Sequence, residues 1–441
     1  MRRTASVMLL LGLALAVALT PTSASFTDQT HSRTAHLARE FVPLVVPVSV
    51  GFSNNLRMED TGLALTPNGD VYVWGLIGDR INGTQVSPTG PAKPTQVIFP
   101  ANEKIAEVSG MQHDLNALDT NGCVWGWGGT DTRNGIDSTS SNRRSNWGPY
   151  KVREGTAWDG TGPELCGVTT ITNNEGAGAA LKRDGTVWYW GDDKNLAYSG
   201  NPGAGASQMA LPRPAVYVRG AWAEFYVILD DGDVWYWGQH DPKVGMQNSF
   251  PAGTSATPTA KYLQALAPWM RKNAKKAGRP WIVAVDGGKN MGGALLSDGS
   301  ILTWSNTDPN RTGHPADGKI DPTVLSLGDV DQLSYGAKTA IIHRKDGSLW
   351  CYGVAGDPND TTQTKVSYDK ICYSLTPKKL SDDILNYALG SDFLIWQTKT
   401  HEFYGIGRNL VGVLGLPVAN MVNPVRRVDW NGSNELAKLG I

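Results

Sequence analysis

The chain has 441 residues, with 40 Lys+Arg against 41 Asp+Glu and a formal net charge of −1. That balance gives no general electrostatic pull toward nucleic acid or an anionic membrane. With 18% charged residues, 51 Gly and 16 Trp, the composition is that of a chain able to build a core, which excludes a disordered or fibrous class.

In chain order, Arg2 and Arg3 precede an apolar run from Val7 to Leu19, followed by PTSAS. This is the pattern of a signal peptide over residues 1–24 with cleavage near Ala24, and the run is too short to span a bilayer. The expectation is an exported protein with a linker over 25–43 and one domain over 44–441. No membrane insertion is expected.

From residue 61 onward one pattern recurs: a short apolar strand, a polar turn, then alternating aromatics ending in Gly. The copies are NGDVYVWG (68–75), NGCVWGWG (121–128), RDGTVWYWG (183–191), DDGDVWYWG (230–238), SDGSILTWS (297–305), KDGSLWCYG (345–353) and a worn KTHEFYGIG (399–407). Asn-Gly and Asp-Gly are the strongest short hairpin signals, and a type I′ turn with two positive φ values is the expectation. The period-two alternation of β-branched and aromatic residues excludes helix. The turn positions Gly69, Gly122, Gly185, Gly232, Gly299, Gly347 and His401 lie 47 to 67 residues apart. Upstream of the hairpins lie further apolar strands, such as KIAEVSG (104–110), and before those short Pro-introduced strands such as PTQVIF. Seven units of about four strands predict an all-β, seven-bladed β-propeller. It carries long loop insertions on one face, opposite the Asp-Gly turns, including 129–165 and 239–280, and a short helical insertion at 259–277. Two segments compete to complete the first blade: the C-terminal NELAKLGI, around 435–441, and LVVPVSVGFSNN (44–55).

The motif DG-x-V-W-x-W-G, with the tail GRNLVGVLG (407–415), resembles the regulator of chromosome condensation repeat. The resemblance covers nearly all of the chain past the signal peptide and implies the same propeller. Nuclear members act on a small GTPase and chromatin. The signal peptide points instead to the secreted type, which resembles propeller inhibitors that clamp a β-lactamase with one face. The long insertions and the lost Asp-Gly of the seventh turn depart from the family pattern.

Four cysteines, Cys123, Cys166, Cys351 and Cys372, suit two disulfides in an exported chain. Three pairings are open, and the sequence-local one would staple two long loops. No CxxC or His pair suggests a metal site.

Candidate binding residues fall in two groups. The 131–165 insertion carries Trp147, Tyr150 and Trp158 among polar and basic residues, a composition that suits protein hot spots or sugar stacking. Self-packing of the loop explains the same aromatics. The turns expected nearest the axis carry His113, Glu175, Trp222, Glu224, Lys289, Asn290 and Asp392, although turns are polar in any protein. Catalytic motifs, nucleotide loops and EF-hand spacings are missing from the sequence, so no enzyme activity and no cofactor are expected. The reading is a secreted, non-catalytic binding protein. Its partner is a secreted or cell-surface protein or, alternatively, a cell-surface glycan recognised by a lectin-like adhesin, with no nucleic acid.

Overall fold

The structure is a computed structural model. It describes residues 44–48, 61–66, 68–75, 94–111, 114–128, 149–155, 162–174, 177–191, 205–221, 224–238, 260–288, 291–305, 322–325, 327–336, 339–354, 371–390, 393–409, 412–416 and 419–428. These residues form seven four-stranded antiparallel sheets, each a meander of consecutive strands. The first blade runs Leu44–Val48, Thr61–Leu65, Val71–Gly75 and Thr95–Val97. The first strands of the other six are Ile105–Met111, Val168–Asn174, Ala215–Gly220, Ile282–Gly287, Val330–Tyr335 and Ile384–Leu389. First strands of neighbouring blades touch, and the first strand of blade seven touches that of blade one, so the sheets ring a common axis. The fold is a seven-bladed β-propeller.

Two expectations are corrected by the pairing. The short Pro-introduced strands do not open a blade; Thr95–Val97 pairs with Val71–Val73 and is the outermost strand of the blade before. The innermost slot of blade one is filled by Leu44–Val48, antiparallel to Thr61–Leu65, and not by the C-terminal segment. Residues 435–441 lie outside the described residues. Each blade is thus continuous chain, and the ring closes by packing blade seven on blade one. There the Trp74 indole N–H donates to the Val413 carbonyl at 2.7 Å, and Ala64 and Trp74 share a cluster with Phe393, Ile395, Phe403 and Leu414.

The recurrent turn has one geometry in all seven blades. In blade two, Gly122 N–H donates to the Asp119 carbonyl and Asp119 N–H to that of Cys123; the same pair of bonds recurs at Gly69, Gly185, Gly232, Gly299, Gly347 and His401. Only the last turn residue is left-handed, with φ from 77° to 90° at the glycines and 61° at His401; the residue before it is not. The turn is therefore a type I turn closed by a left-handed residue, not type I′. The aspartate before the glycine also has a reason. Asp184, Asp231, Asp298 and Asp346 each accept the backbone N–H two residues on, at 2.8–3.0 Å, a side-chain mimic of a turn bond.

The core is divided into seven clusters, one per seam between neighbouring blades. The last aromatic of each third strand fills its seam: Trp74, Trp127, Trp190, Trp237 and Trp304 are almost wholly buried, with Tyr352 and Ile406 in their place in blades six and seven. Glycine opposite makes room for the indole. A Cβ on Gly62 or Gly178 would come within 2.2 or 2.3 Å of the Trp74 or Trp190 ring.

Around the axis the seams are polar. The first strands of six blades carry a one-residue bulge near their start, as at Ile105/Glu107 and Ala215/Tyr217, which re-aims the side chains that follow. Acceptors on one blade then take backbone N–H groups of the next. Glu107 accepts from Ile171 N–H at 3.3 Å and Thr170 O–H at 2.9 Å, Thr172 from Gly220 N–H at 2.8 Å, and Asp286 from Tyr335 N–H at 3.3 Å. Burial pushes the Glu107 carboxyl up to about 8 against the pull of those bonds and of Arg219.

The disulfides are Cys123–Cys166 and Cys351–Cys372, the sequence-local pairing. The second is buried within the seam between blades six and seven.

Two outcomes are expected. A non-glycine left-handed residue is strained by about 1 kcal/mol, so His401→Gly should stabilise the fold by up to about 1 kcal/mol in urea denaturation, whereas Gly347→His should destabilise it. Glu107 binds its proton more tightly in the folded state than its ordinary value of 4.5 implies. Its stabilising effect is complete below that value and is lost as pH rises toward 8, by at most about 1.4 kcal/mol per unit. Glu107→Gln should flatten the decline of urea midpoints between pH 5 and pH 8; parallel declines in both proteins would reject this.

Candidate binding surfaces

A four-stranded meander sends alternate connections to opposite sides of the ring. The first-to-second-strand turns and the third-to-fourth-strand connectors leave from one side. The Asp-Gly turns and the links to the next blade lie on the other. The sequence reading placed 129–165 and 239–280 wholly on the first side, and the strands Tyr150–Lys151 and Lys261–Tyr262 divide both. Only 129–149 and 239–260 are third-to-fourth-strand connectors.

Their second halves run back along the Asp-Gly side. Val124 N–H donates to the Leu165 carbonyl and Val168 N–H to Gly122, beside the Cys123–Cys166 bond. Isolated bridges join Arg153 to Glu164 and Glu154 to Ala206, tying blade two to blade three. Two lysines lock this belt. Lys151 donates to Glu164 at 2.8 Å and lies 5.2 Å from the Trp125 ring. Lys182 pairs with Glu154 and lies 4.5 Å from the Trp188 ring. The Glu164 carboxylate holds the Lys151 ammonium above its usual range.

The helical insertion forms as well. A 3-10 turn over Gln264–Trp269 leads into a helix, α1, over Arg271–Lys276. Leu263, Leu266 and Met270 are buried against Tyr236 and Ile282, while Tyr262 is only partly buried. Arg271 packs over Gly232 and donates to the Asp230 carbonyl at 3.1 Å, so the insertion sits on the Asp-Gly side.

Of the predicted loop aromatics, Tyr150 stands on the outermost strand of blade two with 42% of its surface exposed. Trp147 and Trp158 lie outside the described residues. So do His113, Glu175, Trp222, Lys289, Asn290 and Asp392, which fall in the sequence between the first and second strands of blades two to five and seven. Because first strands ring the axis, the described strands that flank these positions end on one side of the ring. Glu224 is described and is buried. Its carboxylate accepts the Tyr226 hydroxyl at 2.9 Å, and burial, more than that carboxylate, raises the tyrosine well above its usual range.

The axial wall also holds charges that the sequence reading missed. Arg219 reaches from blade four to the buried Asp286 of blade five, with two N–O distances of 3.3 Å, and its side chain stays 45% exposed. The Asp286 charge keeps Arg219 cationic, and burial raises the Asp286 carboxyl against that attraction. The field of Arg219 also reaches Glu107 of blade two and Tyr387 of blade seven. A signal existed: these inner strands carry polar residues that the second and third strands largely lack, as in VTTITNN and AVYVRG.

Cys123, Glu164 and Cys166 place potential metal-ligand atoms within 4.8 Å of one another. The two sulfurs are bonded to each other and Glu164 is held by Lys151, so they offer no thiolate pair. Among the described residues, no helix is long and apolar enough to cross a membrane.

No family profile and no curated protein matches the sequence. Solved structures do match in shape. Prp20p from Saccharomyces cerevisiae, studied for its binding to Gsp1p and histones, superposes with a TM-score of 0.57 at 17% identity over 76% of this chain and 80% of its own. Yeast RCC1 (Prp20) bound to Kap60 gives 0.57 at 16% identity over 89% and 87%. Human WBSCR16 gives 0.58 at 15% identity over 81% and 93%. Ring size, blade order and these likenesses agree that the chain has the seven-bladed propeller fold of the regulator of chromosome condensation repeat proteins.

Proposed function

We propose that this chain is an exported, non-catalytic binding protein that holds a protein partner on the side from which its third-to-fourth-strand connectors leave. One observation carries the reading. All seven connectors, 76–94, 129–149, 192–206, 239–260, 306–322, 355–372 and 410–418, depart from the same side of one ring, whereas every Asp-Gly turn keeps the same short geometry. Variable loops on a rigid scaffold are where recognition resides. Tyr150, exposed at the end of one connector, and Trp147 three residues before it supply aromatic anchors of the kind that dominate protein interfaces.

Two disulfides and the N-terminal Arg-plus-apolar segment support export. The yeast propellers, one studied with Gsp1p and histones and one bound to Kap60, support the idea that this shape serves protein recognition.

The test is capture from the culture supernatant of the source organism on the immobilised mature chain, beside a variant with Trp147→Ala and Tyr150→Ala. A stoichiometric protein partner bound on the order of tenfold more weakly by the variant is expected. Retention on glycan beads with no protein partner would replace this reading by the lectin one. Undiminished capture by the variant would remove these anchors from the site.

A further inference from the structure

The rim of blades four and five, on the Asp-Gly side, carries a concentration of positive charge that the connector reading does not use. Residues 242–285 contain seven bases, Lys243, Lys261, Arg271, Lys272, Lys275, Lys276 and Arg279, and no acid, in a chain of net charge −1, and the last five of them lie on or just after α1 on the Asp-Gly side. The remainder of the chain is therefore net −8. Lys272, Lys275, Lys276 and Arg279 are exposed on and just after α1.

The scaffold beneath them is rigid. Leu266, Met270 and Ala274 are fully buried, Leu263 N–H donates to the Val234 carbonyl at 2.9 Å, and Arg279 N–H closes on the Ala274 carbonyl at 2.9 Å. Two of the cations lie against half-buried indoles: Lys275 is 4.8 Å from the Trp281 ring and Arg279 is 5.7 Å from that of Trp269. Several surface cations elsewhere take carboxylate partners, as in Lys104–Asp70, Lys151–Glu164, Arg213–Asp230, Lys379–Asp382 and Arg427–Glu402. Lys272 lies in the field of Asp233 on the neighbouring turn. Among the described residues, Lys275, Lys276 and Arg279 form no ion pair. A helix C-terminus favours a cation in its last turn, which accounts for Lys275 or Lys276 but not for Arg279 or for an acid-free stretch of this length.

We propose that Lys275, Lys276 and Arg279, with Trp269 and Trp281, form a second docking surface that receives an acidic segment of a protein. Charge complementarity selects an anionic partner. Three of the four exposed cations are lysines, point charges suited to single carboxylates, whereas a phosphate or sulfate polymer is gripped best by the fork of arginine. The tryptophan faces add the aromatic contact of protein hot spots. This surface lies on the opposite side from the connectors and does not rest on the connector reading.

The test measures binding of the full mature chain to poly-L-glutamate at several salt concentrations, beside heparin and phosphatidylglycerol vesicles. Three variants are compared: Lys275→Glu/Lys276→Glu/Arg279→Glu, its Gln counterpart, and Trp281→Leu. All three are checked for an unchanged melting temperature; where one melts lower, the Gln counterpart decides. Poly-glutamate binding at least about tenfold weaker in both charge variants, with a shallower salt dependence, is expected, and Trp281→Leu should weaken it severalfold. Equal poly-glutamate binding by wild type and charge variants, or none by wild type, overturns the proposal. Patch-dependent binding to heparin or vesicles alone also overturns it, by assigning the surface to a polysaccharide or a membrane.

Discussion

A four-stranded sheet with two apolar faces must be covered on both, and in this ring the cover is always the neighbouring blade. The rest of the architecture depends on that constraint. Seven separate clusters replace a single core, six of them filled by the last aromatic of a third strand and the seventh by Ile406. Where glycine stands opposite, as at Gly62, Gly178 and Gly292, the indole lies against bare backbone. Where Phe225 stands opposite instead, Trp237 stacks on it at 4.9 Å. Removing either the ring or the space breaks a seam, and a ring with one broken seam exposes two sheet faces.

Near the axis the same constraint takes a polar form. Inner strands converge there, and the bulge near the start of six of them turns the following side chains toward the next blade. Glu107, Thr172 and Asp286 then satisfy backbone N–H groups of the adjoining inner strand. Burying a carboxylate this way is costly unless it is neutral or paired. Glu107 follows the first route, with its carboxyl raised to about 8, and Asp286 the second, through Arg219. The axial wall is thus a device for holding blades in register, which fixes the side from which the variable connectors leave.

The rim differs from the axis in chemistry. Lysine and arginine lie over the buried Trp125 and over the partly exposed Trp188, Trp269, Trp281 and Trp350, so rim indoles are shielded by cations. In blades two and three those cations are also paired with Glu164 and Glu154, which makes a latch. Around α1 Lys275 and Arg279 lack such pairs among the described residues, which leaves their charge available to a partner.

What the sequence by itself determined was whatever is written within about ten consecutive residues. The period-two aromatics, the left-handed turn residue and the seven-fold recurrence were legible, and they suffice for blade number and fold. The aspartate of the turn was legible too, although the turn proved to be type I with one left-handed residue. The frame of each blade was not legible, because a short strand such as Thr95–Val97 is equally apolar whichever neighbour it joins, and only hydrogen bonding to Val71–Val73 assigns it. Nor was the closure at Leu44–Val48, since two segments of similar pattern competed for one slot. Arg219 and Asp286 stand 67 residues apart, and their pairing, like that of Cys123 with Cys166, exists only once the ring has brought separate strands side by side. Local backbone chemistry decides the repeat; closure of the ring decides which residues meet.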